Sequence, residues 1–399
     1  MSIPQPVPFV PAQATVFRPF EPWQTLDPAT IPRIRFVYGD AYAAGYVTVT
    51  FAAPKTGKSL LGIAEAIDAT TGRGFLTGRA ADPQTVLYFN AEDDQDVLNA
   101  RAVAVLEANG IAQADIAGRF FPVSGIGEGR NLVLIRGEKN EINEPAFDFL
   151  ADTIARNRIT LAIFDPLQDL SESPETNEAF RALGKRLRKL ANDTGVAIGI
   201  VHHTRKPSAG VQPTLDDGRG GSALRGVARF NRLLVPMTEA EGAQAGVDDF
   251  RYFFRIGELE SNLAPPSSDR NKWFEKIGVE IGNGAQYPTI RPWVWPDAFV
   301  GVKLDDARRV RAAIAKLAQD GSPARESVQA KDWAGIVVAD LLGLDLAKTA
   351  EKARVKTMLR KWIETGVLTV DKVKNEKGKD VPLIYPGPND LSADTGEDA

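Results

Sequence analysis

The segment Ala52-Ala53-Pro54-Lys55-Thr56-Gly57-Lys58-Ser59 has the residue types and spacing of a phosphate-binding loop. It follows the apolar run Tyr46–Phe51 and precedes the apolar pattern Leu60, Leu61, Ile63, Ala64, Ala66, Ile67. Strand, Gly-Lys-Ser turn and helix are the setting this chemistry needs. Backbone N–H groups wrap phosphate oxygens, a lysine reaches the β- and γ-phosphates, and a serine hydroxyl ligands Mg²⁺. The positive end of the helix dipole adds to the attraction. Lys58 and Ser59 fit the last two roles, with Ala53, Pro54, Lys55, Thr56 and Gly57 forming the cradle. Ala52 stands where the usual pattern has its first glycine. ATP and Mg²⁺ are the cofactors expected.

Phosphoryl transfer needs further groups. A second carboxylate on the metal belongs at the end of an apolar strand, and Leu161-Ala162-Ile163-Phe164-Asp165 supplies it as a Walker B acid; the alternative is an ordinary strand terminus. A group that polarises the attacking water is also required. Leu87-Tyr88-Phe89-Asn90 runs into Ala91-Glu92-Asp93-Asp94. Glu92 is the candidate base, whereas Asp93 and Asp94 suit the first turn of the next helix; Glu92 has that same alternative. The only histidines are adjacent, His202-His203, after Gly199-Ile200-Val201. A histidine at a strand end beside Mg–ATP senses the γ-phosphate by hydrogen bonding; the alternative is a structural role. Without cysteine or a third histidine, a dedicated metal site there has too few ligands.

Elements must bring these residues together. From 45 to 260, apolar runs (Val47–Phe51, Val86–Phe89, Leu161–Phe164, Val196–Val201, Arg232–Val235, Tyr252–Ile256) alternate with helical patterns near 59–70, 95–109, 144–157 and 177–193. This alternation predicts an α/β fold with a central, mostly parallel sheet, the later strands being candidates for antiparallel additions. Residues 1–30 hold seven prolines and read as an extended arm, packed on a neighbour or free. Arg205–Gly221 reads as a long loop, and 292–304 as a linker. The pattern then changes. Three helical stretches (305–319, 332–341, 348–365), Val367–Val370, a charged turn Lys372–Asp380 and Val381–Tyr385 describe a winged helix over 305–386. The acidic tail 387–399 reads as disordered.

Bulk properties narrow the class. The chain has 399 residues, 43% hydrophobic and 25% charged, as in a globular protein of two or three domains. Apolar runs fall short of a membrane span, and the N-terminus lacks a signal pattern. The absence of cysteine excludes disulfides and thiolate metal sites and favours a cytoplasmic setting. Net charge is −4, but Lys348–Lys379 holds ten Lys/Arg against four Asp/Glu.

Taken together, the phosphate loop, Ala91-Glu92-Asp93, Phe164-Asp165-Pro166, Val201-His202-His203-Thr204-Arg205-Lys206 and Arg219-Gly220-Gly221-Ser222 resemble the RecA-like hexameric helicases. The plasmid RepA-type replicative helicases are the most similar. The resemblance spans 40–285 and implies a RecA-like P-loop ATPase core, a homohexameric ring and hydrolysis between subunits. It assigns Glu92 as catalytic glutamate, Asp165 as Walker B acid and His203 as γ-phosphate sensor. It assigns Arg229 as an arginine finger acting on the neighbour's ATP, with Arg225 and Arg232 as rivals. The family's trans-acting lysine near Phe254–Asn262 is missing; Glu260 falls there, and Arg255 is a possible substitute.

DNA is the expected partner, with no membrane. Single-stranded DNA in a ring channel is expected to meet Arg205, Lys206 and Arg219. Duplex at the winged helix is expected to meet Arg354, Lys356, Arg360, Lys374 and Lys377; the alternative for that face is protein–protein packing. The leading expectation is a helicase or translocase of mobile-element or phage-type replication. The alternatives are a RecA-like recombination or annealing ATPase, and an ATP-switched DNA-binding regulator.

Overall fold

The computed structural model describes residues 21–127, 131–204, 213–217, 221–261, 263, 272–374 and 378–391. The chain divides into two compact units, Met1–Ile34 and Arg35–Ala399. In the first, the described residues are exposed apart from Ile34, and one short 3-10 turn, Pro28–Thr30, is capped by the Asp27 carboxylate.

The second unit is built on a nine-stranded sheet. Its strands in chain order are β1 (Val47–Ala52), β2 (Val86–Asn90), β3 (Phe120–Ser124), β4 (Leu161–Asp165), β5 (Ala197–His203), β6 (Phe230–Pro236), β7 (Phe253–Ser261), β8 (Lys272–Glu280) and β9 (Gln286–Trp293). They lie in the order β9-β8-β7-β6-β1-β5-β4-β2-β3. From β6 to β3 every neighbour is parallel. β7, β8 and β9 add on antiparallel. The predicted strands and their parallel pairing are found, and β6 joins the parallel set. β3, β8 and β9 went unforeseen: β3 carries Pro122, and β9 carries Pro288 and Pro292. Both outer strands of the sheet thus contain proline, which has no N–H to give a ladder.

Helices cover both faces: α1 (Lys58–Thr71) and α2 (Gln95–Ala108) on one, α3 (Glu144–Asn157) and α4 (Asn177–Thr194) on the other. Side chains along each central strand alternate between two cores. Val47, Val49, Phe51, Leu87, Phe89, Ala162 and Phe164 pack with Phe147, Phe180, Leu183 and Leu187. Val86, Tyr88, Leu161 and Ile163 pack with Leu61, Ile67, Leu98 and Val105. Apolar residues on both faces explain the continuous runs in the sequence.

One buried patch on the α1 face is polar. Arg232 of β6 donates to both carboxylate oxygens of Glu65 on α1 (2.6 and 2.9 Å), to Thr50 of β1 and to the Tyr42 hydroxyl. Tyr42 in turn donates to Glu65. Burial works against the guanidinium charge, yet Glu65 holds it firmly protonated. Every buried charge here is paired, which is the condition for tolerating it.

The short helices α5 (Gly221–Val227) and α6 (Glu239–Ala245) flank β6 in the chain, and after β9 come α7 (Leu304–Gln319), α8 (Ala334–Leu342) and α9 (Thr349–Glu364). Strands β10 (Leu368–Lys374) and β11 (Asp380–Pro386) form an antiparallel hairpin. Val310, Ile314, Trp333, Val338, Val355, Met358, Trp362 and Ile384 make a separate core. The predicted three helices and hairpin are present. The connection 292–304 is anchored at two points, Trp295 meeting Trp273 and Trp293 and Phe299 meeting Trp362, while Val294 and Val300 are exposed. Gly246, after α6, has a φ of +72°, and a side chain there would strike Ala350 and Ala353 of α9.

Candidate nucleotide site

Parallel strands release their C-terminal ends in a row, and that row is where the chemistry gathers. Ala52 pairs with His203, and Asn90 with Asp165, so four strand ends lie side by side. The phosphate loop leaves β1 and enters α1 at Lys58. Gly57 has a φ of +123°, which an L side chain avoids, and a Cβ there would come within 2.8 Å of the Phe254 ring. Glycine at this position is a steric necessity.

Asp165 is fully buried at the end of β4. Tyr88 donates to one carboxylate oxygen at 2.8 Å, and the nearby Ser59 hydroxyl favours the charged form of the group. Burial raises the Asp165 pKa, while Lys58 opposes the rise. The other oxygen, Oδ1, has no protein partner. A buried, unsatisfied carboxylate oxygen beside a serine hydroxyl fits a hard divalent cation that takes its remaining ligands from water and phosphate. Ser59 and Asp165 are therefore the residues that would hold Mg²⁺.

Glu92 lies between two basic groups. Its carboxylate is 3.6 Å from Lys58 Nζ and 3.6 Å from His203 Nε2. The chain turns there because the Asn90 side chain accepts the N–H groups of Glu92 and Asp93 (3.0 and 2.7 Å). Asp94 caps α2 through the Val97 N–H, and Asp93 pairs with Arg101. Both neighbours thus serve the helix, which leaves Glu92 facing the site, 43% exposed. Burial lowers the His203 pKa, Lys58 lowers it further, and Glu92 opposes. His202 points the other way, edge-on to Phe51 and Phe180 in the core.

Residues 14–209 match the family model described as AAA domain. That segment is similar to AAA-type P-loop ATPase domains. The matched segment includes the phosphate loop, Glu92, Asp165 and His203 and ends before Arg229.

The remaining candidates lie elsewhere. Arg229 precedes β6 at its N-terminal end; its N–H donates to the Val47 carbonyl at the start of β1. Its side chain has no ion pair among the described residues and is half-buried. Arg225 pairs with Glu260, and Arg232 is sealed in the Glu65 network. Arg255 pairs with Glu241 and lies over the Trp273 ring. Arg354 donates to the carbonyls of Ala298 and Val300, so its head tethers the connection to α9. Lys356, Arg360 and Lys374 are exposed. Arg205, Lys206, Arg219 and Lys377 lie outside the described residues. Among the described residues no helix is long and apolar enough to cross a membrane.

Three residues of the site escaped sequence reasoning. Tyr88 reads as an ordinary strand aromatic, yet its hydroxyl joins Asp165 to the Ser59 carbonyl. Asn90 reads as a strand end. Asp169, on the turn after β4, lies close enough for the Glu92 charge to add to the desolvation that raises its pKa. The one available signal was a polar atom on each of Tyr88 and Asn90 inside an apolar strand.

Proposed function

We propose that the chain is a DNA-dependent ATPase of the RecA-like, RepA-type helicase kind, assembled as a homohexameric ring that hydrolyses ATP between subunits. Lys58 neutralises charge on the β- and γ-phosphates. Glu92 accepts a proton from the attacking water as its oxygen bonds to the γ-phosphorus and the bond to the β–γ bridging oxygen breaks. Ser59 and Asp165 would hold Mg²⁺, which would supply charge neutralisation for the phosphates. His203, neutral at pH 7, is placed to hydrogen-bond the γ-phosphate and so to distinguish ATP from ADP.

The observation that carries the reading is a division of groups between two ends of one sheet. Lys58, Glu92, Asp165 and His203 gather at the C-terminal ends of the parallel strands. Arg229 lies at the opposite end of β6, roughly 16 Å of strand away from the residue level with the loop. A finger so placed serves a neighbour's nucleotide. The C-terminal helices and hairpin act as a winged helix that meets duplex through Lys356, Arg360 and Lys374, with Lys377 added on the sequence reading alone. By the sequence resemblance, Arg205, Lys206 and Arg219 are the residues that bind single-stranded DNA. The role in mobile-element or phage-type replication rests on the RepA-type resemblance.

The test is ATP turnover of the purified chain with and without single-stranded DNA, paired with a strand-separation assay. Stimulation by single strands together with unwinding is the expected result. Turnover indifferent to DNA, without unwinding, would refute the motor reading; ATP-dependent assembly under those conditions would favour a DNA-binding switch.

A further inference from the structure

The antiparallel strands β7 and β8 form the outer wall of the phosphate loop. Phe254 of β7 stacks on Phe274 of β8, with centroids 5.4 Å apart and planes 27° apart. The same Phe254 ring fills the space beside Gly57. Two residues beyond Phe274, and so on the same side of β8, stands Lys276. Its ammonium donates to the backbone carbonyl of Lys55 at 3.4 Å.

Lys55 is the strained point of the loop. Among Ala52–Ser59 it is the non-glycine residue with left-handed backbone, at a φ of +66°. An L side chain does not choose this conformation freely. A cation on the Lys55 carbonyl fixes the following peptide and so the direction in which the chain enters Gly57, Lys58 and Ser59. The Lys276 side chain is half-buried, and burial lowers its pKa, with the Asp249 charge pulling the other way. An ammonium in that place needs an acceptor, and the loop carbonyl is one. The stretch where a trans-acting lysine was expected carries Glu260 and Arg255, each held in an ion pair within the chain.

We propose that Lys276 is a positioning residue of the nucleotide site: through the Lys55 carbonyl it holds the phosphate loop of its own chain in the form that accepts nucleoside di- and triphosphates. The proposal rests on the reading of Ala52–Ser59 as a nucleotide loop. It assigns Lys276 no contact with the γ-phosphate.

The experiment measures ATP and ADP affinity by calorimetry on the full chain, as wild type, Lys276→Met and Lys276→Arg. Melting temperature, KM and kcat accompany it. K276M is expected to weaken ATP and ADP alike by about three- to tenfold, the scale of one ordinary hydrogen bond lost, since the contact acts on the nucleotide only through the loop. K276R restores most of the affinity, and the KM rises by a larger factor than kcat falls. Wild-type binding with unchanged affinities in K276M overturns the role of Lys276 and leaves the loop reading standing. A loss confined to ATP overturns it in favour of direct γ-phosphate contact. Equal losses in K276M and K276R, each with a lowered melting temperature, overturn it in favour of packing alone. Wild type that binds neither nucleotide removes the loop reading, and this proposal with it.

Discussion

Glu92 holds a position between Lys58 and His203 that suits a proton acceptor waiting for substrate. Bound phosphates would draw Lys58 toward themselves and leave the carboxylate free for water. Glu92→Gln should keep nucleotide affinity and lower kcat by about 10²–10⁴-fold, the usual worth of a positioned base; steady-state turnover beside equilibrium binding checks it. His203 sets a pH dependence. Its pKa in the folded chain lies below the ordinary 6.5, so the folded state favours the neutral ring. The associated stability is fully present above pH 6.5 and is lost as the pH falls through the depressed folded value. Turnover should share this acid limb, because a protonated ring pairs with the Glu92 carboxylate, 3.6 Å away, and makes it a weaker base toward water; a His203→Asn variant should show the limb diminished in a pH–rate profile. That Lys58, Ser59, Glu92, Asp165 and His203 would lie together was legible, because the chemistry expected of them demands both a residue type and a strand end. Tyr88 and Asp169 were not, since neither departs from what its local segment would hold anyway. Arg354 misled for a related reason. A basic residue on a basic helix looks available until its carbonyl partners are known.

At the scale of elements, the Arg232–Glu65 pair fastens β6 to α1 and, through Thr50 and Tyr42, to β1 and the segment before it. The helix that begins at the phosphate loop is thereby tied to the strand that begins beside Arg229. Arg232→Met should cost about 3–5 kcal/mol, because Glu65 is left buried and unpaired. The double change Arg232→Met with Glu65→Leu should cost markedly less. Chemical denaturation of the two variants decides it; equal losses would mean that the pair is not the source of the effect. The alternating elements through α4 were legible because both faces of a parallel sheet demand apolar runs. β8 and β9 were hidden by their composition: Lys276, Glu275 and Gly278 on one and Pro288 and Pro292 on the other break the run that marks a strand. Their place in the sheet follows from pairing with distant partners, which no short window contains.

For the whole molecule, in the ring proposed above, the separation of Arg229 from its own phosphate loop would make activity a property of pairs of subunits. Arg229→Ala should lower kcat by about 10³–10⁵-fold while each chain still binds ATP. Mixing it with a Lys58→Ala chain should restore part of the turnover, because some interfaces then unite an intact loop with an intact arginine. A mixture as inactive as either parent would place the arginine outside a shared site. The prolines at both margins of the sheet bear on how such pairs form. Pro122 on one outer strand and Pro288 and Pro292 on the other interrupt any row of donors that a second copy might extend. Copies crowded together at high local concentration are thereby kept from zippering into continuous cross-chain ribbons. An assembly of the proposed kind would gain from margins so interrupted, because an open strand edge is a template for uncontrolled growth.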